Sequence, residues 1–105
     1  MSEDTKSTPK GYWIARVDAE ENNSARYKDY VDMASVAFKE YGAKFLARGG
    51  EIDRAEGDCR ARNVIIEFES LATAKACFYS EQYQKAALIR QEVSAGEIVL
   101  VEGAE

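Results

Sequence analysis

The 105-residue chain contains no histidine. That absence removes the Ser-His-Asp triad, the Cys-His pair, the histidine-based zinc site and the proximal haem histidine. Cysteine is scarce: Cys59 and Cys77 stand alone, with no CxxC spacing. Two isolated thiols fit a reducing, cytoplasmic setting. Without a histidine base, neither reads as a catalytic thiolate. Proline occurs once, at Pro9. No apolar run approaches the length of a membrane span. The opening MSEDTKSTPK lacks the apolar stretch of a secretory signal. Excess positive charge is missing as well. Fourteen Lys and Arg are scattered among nineteen acids, for a net charge of -5. A nucleic-acid binder concentrates cations to neutralise phosphates, so no nucleic-acid partner and no membrane partner are expected. The one glycine pair, Gly49-Gly50, is far short of a phosphate-binding loop. No cofactor and no metal site are expected.

What is present reads as one domain. A length of 105 residues suffices for one and not for two, and hydrophobic residues make up an ordinary 46%. Residues 1–10 are polar and aperiodic, and are expected to form a flexible N-terminal tail. Residues 11–105 are expected to form the domain. GYWIARVD, residues 11–18, alternates as a strand, with Trp13, Ala15 and Val17 on one side. After a polar connection at 20–24, where Asn23 or Ser24 is placed to cap, a helix is expected over 25–41. Its stripe is Tyr27, Tyr30, Val31, Ala34, Phe38 and Tyr41, and Gly42 ends it. AKFLAR, residues 43–48, reads as a second strand. Gly49-Gly50 permits a tight turn or bulge, and 51–56 a short extension or hairpin arm. RNVIIEF, residues 62–68, is the clearest strand, with three consecutive β-branched residues. Ser70 and Ser80 are placed to cap helices over 71–79 and 81–92, the second presenting Tyr83, Ala87 and Arg90 together. Gly96 reads as a break before a last strand, EIVLVE, over 97–102.

The order β-α-β-β-α-β, with the second helix split, is the ferredoxin-like pattern. Its fold class is α+β, a four-stranded antiparallel sheet with helices on one face. The free face of such a sheet is polar in a monomer. Here residues 64–66 and 98–101 are apolar at both parities. A second apolar face wants cover, and a second copy of the chain supplies it most simply. A homodimer of the dimeric α+β-barrel kind is therefore expected. The competing arrangement covers that face with the tail or with the 51–61 segment.

The stretches GYWIARV, YGAKFLARGG, RNVIIEF and VLVEG resemble the domain-of-unknown-function family numbered thirteen-thirty. The likeness runs over residues 11–103. It implies the dimeric α+β-barrel architecture and no particular activity. Family members often carry a tryptophan where Cys59 stands, and prolines where Ala61, Glu69 and Glu81 stand. Proteins sharing that architecture include cofactor-independent monooxygenases, small-ring isomerases and haem-dependent enzymes. They hold small ligands in a cleft between sheet and helices, and one fold hosts many functions.

Charges on strands mark a candidate site. Arg16, Arg48 and Glu67 share parity with Ile14, Leu46 and Ile65, so aligned strands would gather them on one face. Buried charges need partners, and the cluster reads either as a structural Arg–Glu–Arg network or as a place where one arginine holds a carboxylate or enolate. The tyrosines read first as helix–sheet core. More sharply, Tyr30, Tyr41 or Tyr83 would line an amphipathic pocket beside Trp13 and Arg48. Three functions fit. One is binding of a small organic ligand, anionic or aromatic, through Trp13, Arg16, Tyr30, Tyr41, Arg48, Glu67 and Tyr83. Another is a cofactor-independent monooxygenase or isomerase, with Glu67 or Asp18 as base and Arg48 with a tyrosine as oxyanion partner. The last is a dimeric interaction module without a ligand. A desolvated carboxylate beside a cavity would mark the enzyme, a cavity without one the binding protein.

Overall fold

The computed structural model describes residues 8–19 and 24–104. The expected flexibility of residues 1–7 and the capping by Asn23 or the Ser24 side chain lie outside that description. The described chain runs β1 (Gly11–Ala19), α1 (Ser24–Glu40), β2 (Lys44–Arg48), β3 (Arg62–Phe68), α2 (Leu71–Phe78), α3 (Glu81–Val93) and β4 (Ser94–Glu102). The strands form one sheet in the order β2-β3-β1-β4, every neighbouring pair antiparallel. This is the α+β ferredoxin-like arrangement expected from the sequence. None of the described helices is long and apolar enough to cross a membrane.

Local chemistry sets the helix ends. Ser70 and Ser80 each accept a bond from a backbone N–H three residues on, that of Thr73 and of Tyr83, both at 3.1 Å. Each satisfies an amide that the first helical turn leaves orphaned. At the end of α1, Gly42 takes φ 72° and the Ala43 N–H reaches back to the Phe38 carbonyl at 2.9 Å. That six-to-one closure turns the chain toward β2.

The alternation in β1 sorts its side chains as expected. Trp13, Ala15 and Val17 face the helices and are buried. Ile66 and Phe68 of β3 join them, with Ala34 and Ala37 of α1 and Tyr83, Ala86 and Ala87 of α3. Trp13 is the hub. Its ring meets Phe38, Phe78 and Tyr83 edge-on at 5.0, 5.4 and 4.8 Å and stacks on Phe68 at 6.1 Å.

Three expectations need correcting. Gly96 does not break the chain: β4 starts at Ser94, directly after α3, and Gly96 sits inside it opposite Val17. A Cβ on Gly96 would strike the Arg16 carbonyl oxygen, so the glycine permits close strand approach. Residues 51–61 form no strand or hairpin arm. They make a loop fastened by Arg60, whose guanidinium bonds Asp18 at 3.0 Å and Glu97 at 2.6 Å. Third, the irregularity in β2 lies at Leu46 and not at the glycine pair, because Phe45 opposes Ile66 while Ala47 opposes Ile65.

Candidate functional site

The extra residue at Leu46 decides where Arg48 stands. In a regular strand Arg48 would share the outer face with Lys44. The bulge puts it opposite Val64, on the helix-covered side. The expected Arg16, Arg48 and Glu67 cluster therefore does not form. Arg16 is on the outer face, exposed, 3.9 Å from Glu97. Glu67 is also on the outer face and accepts a 3.1 Å bond from the Tyr12 hydroxyl. Arg16 and Glu67 oppose Asn63 and Tyr12, four residues apart along the sheet, or roughly 13 Å at strand rise.

Arg48 lies instead at a cavity of about 50 Å³ between α1 and the sheet. The floor is Trp13, Ala15 and Val17 of β1 with Val64 and Ile66 of β3. The roof is Tyr27, Tyr30, Ala34 and Phe38 of α1. Phe45 closes one side, and its ring carries the Arg48 guanidinium 4.0 Å above its centre. Two further arginines line the space, Arg62 from the start of β3 and Arg90 from α3. Trp13, Tyr30 and Arg48 are thus brought together. Tyr83 sits one layer behind, fully buried, and Tyr41 is half-buried past the end of α1; neither lines the cavity.

The charge in this cavity is one-sided. Among the described residues, no carboxylate lines it. Arg90 is only 8% exposed, and its Nε has no hydrogen-bond partner. The Arg62 Nε is likewise buried without a partner. Among the described residues, neither forms an ion pair, and nor does Arg48. A buried cation without a counter-charge costs several kcal/mol, roughly, even after local relaxation. The guanidinium of Arg90 is 5.9 Å from the centre of the Tyr30 ring, a weak compensation. The Tyr30 hydroxyl is shared with that of Tyr83 at 2.9 Å. Burial pushes the Tyr30 phenol well above the usual range and raises that of Tyr83, so both stay neutral donors and acceptors near neutral pH.

Arg62 and Arg90 are the residues that reading the sequence missed. The signal for Arg90 was there: a cation on the same stripe as Tyr83 and Ala87. For Arg62 it was the third alternating position of a strand whose Val64 and Ile66 face inward. Gly49 bears on Arg62 as well. It takes φ 71°, and a Cβ there would run into the Arg62 guanidinium. The glycine leaves room for that head group.

The two carboxylates considered as bases stand elsewhere. Glu67 is on the outer face. Asp18 is held by the Ala61 N–H at 2.8 Å and by Arg60, which keep its carboxyl below the ordinary range. No group of three His, Cys, Asp or Glu suited to a metal occurs among the described residues.

A family model described as "Domain of unknown function (DUF1330)" matches residues 10–104. No curated protein matches the sequence significantly. Solved structures share the fold at low identity. A protein of unknown function from Rhodopseudomonas palustris is 15% identical, with TM-score 0.70 over 98% of this chain and 88% of its own. A dimeric ferredoxin-like protein of unknown function from Jannaschia sp. CCS1 is 17% identical, with TM-score 0.67 over 91% and 99%. SnoaB, a cofactor-independent oxygenase from Streptomyces nogalater, is 9% identical, with TM-score 0.61 over 93% and 96%.

Proposed function

Because this chain belongs to the DUF1330 family, whose description assigns no activity, we propose its function from the cavity itself: it binds a small organic anion between α1 and the sheet. One observation carries this reading. Three arginines surround the cavity with no carboxylate beside them among the described residues, and two of them keep a buried Nε without a hydrogen-bond partner. An anion supplies the missing acceptors and the missing charge. Trp13, Tyr30, Phe38 and Phe45 supply apolar walls.

The oxygenase or isomerase alternative needs a base that reaches the ligand. Glu67 and Asp18 are both directed away from the cavity, which favours binding over that chemistry. The interaction-module alternative leaves the cationic cavity without a purpose.

The binding unit is a homodimer formed through the outer face of the sheet. Ile14, Ile65, Val99 and Val101 share that face, and Val99 and Val101 are 53% and 43% exposed. The loop before β3 reaches only the end of it, at Asp18 and Glu97, and leaves those valines bare. The dimeric relative from Jannaschia supports a second copy as the cover. Cys59 and Cys77 are free thiols on separate elements, in keeping with a cytoplasmic setting.

Thermal denaturation against a panel of small organic acids and their neutral amides tests the binding reading. A ligand at a hundred times its Kd adds about 2.7 kcal/mol of stability, a shift of roughly ten degrees or more for a chain of this size. Acids are expected to raise the melting temperature and amides to leave it unchanged. A panel in which no acid acts would sink the proposal.

A further inference from the structure

The three arginines stand at graded depth. Arg90 is buried at 8% exposure, Arg62 is half-buried, and Arg48 is exposed on the Phe45 ring at the opening. One carboxylate can be held between the two inner guanidiniums, which line the cavity together. It leaves the outer guanidinium uncompensated. Size adds a second constraint. The cavity encloses about 50 Å³, whereas an apolar cavity of about 150 Å³ is what takes a benzene ring. An aromatic ring does not fit, and a head group with a short chain does.

We propose that the ligand is a short aliphatic dicarboxylate. One carboxylate lies inside between Arg62 and Arg90, and the other meets Arg48 at the opening. This rests on the anion-binding reading above and narrows it in two respects, charge number and length.

Calorimetric titration of the full chain with succinate, butyrate, benzoate, isophthalate and inorganic phosphate tests it. Succinate and butyrate have the same number of carbons and differ by one carboxylate. Succinate is expected to bind at least about tenfold more tightly. Its advantage should shrink as ionic strength rises, because the outer contact is exposed. Arg48→Gln is expected to remove most of the advantage while leaving butyrate within about twofold. Arg48 is an exposed residue without an ion pair among the described residues, so the variant should fold, and circular dichroism checks that. Butyrate binding as tightly as succinate overturns the two-headed ligand. Phosphate matching succinate does the same, since it carries its charge at one centre. Benzoate or isophthalate binding best overturns the short chain. Each of these leaves the anion-binding reading standing, whereas no binding by any of the five overturns both.

Discussion

Arg90 occupies a position that its helix otherwise gives to core residues: Tyr83, Ala86, Ala87 and Val93 of α3 are buried with it. A methionine there would keep the length of the side chain and discard a buried charge that has no ion pair among the described residues. Arg90→Met is therefore expected to stabilise the ligand-free protein by about 1–3 kcal/mol. The same change should abolish the melting shift caused by acids. Urea denaturation with and without acid measures both. A destabilised variant would mean that the guanidinium is already satisfied without a ligand. Tyr83→Phe has the opposite sign. It removes the 2.9 Å bond to Tyr30 and leaves a buried hydroxyl without its partner, at a cost of about 1–3 kcal/mol. Because burial pushes the Tyr30 phenol far up, an alkaline absorbance titration of the folded chain should show at least one of its six tyrosines failing to ionise until it unfolds. The residue scale is also where sequence reading did least well. A cation on an apolar helix stripe was visible at Arg90, but nothing in the sequence shows whether an acid from another element stands opposite it.

Elements were more legible than sites. The alternation in 11–18 and 62–68 and the serines before α2 and α3 predict segments that the structure contains, because each depends on neighbours within a few residues. The failures are tertiary. Gly96 reads as a break, but the Arg16 carbonyl pressing on it makes it a strand residue. The bulge at Leu46 has no glycine to announce it, and one extra residue is enough to send Arg48 to the other face. The loop between β2 and β3 has a testable dependence of its own. The Asp18 carboxyl is held low first by the Ala61 N–H and then by Arg60, and Glu97 first by Arg60. A depressed folded-state pKa contributes stability above the ordinary carboxylate value, and that contribution is lost as pH falls through the depressed one. Below about pH 4, the ordinary aspartate value, the Ala61 amide is expected to lose its protection from hydrogen exchange progressively. Asp18→Ala, which removes the acceptor, should show little protection there at any pH. Unchanged protection in that variant would locate the anchor elsewhere.

At the scale of the molecule, the sheet presents one face to the helices and leaves the other bare. Sedimentation should return a dimer at micromolar concentration. Val99→Lys combined with Val101→Lys should return a monomer of unchanged helix content, since both side chains point away from the core. A wild-type monomer would refute the pairing. The apolar outer face was legible because a period of two leaves no other reading when both parities are hydrophobic. One connection ties this face to the interior. Val93 ends α3 and Ser94 begins β4, so no loop residue lies between them. Helix and strand act as a single bent lever, with Arg90 on one arm and Val99 on the other. A loop would absorb small displacements of either arm. Without one, the two arms must open and close as one cooperative unit, and their amides should exchange together.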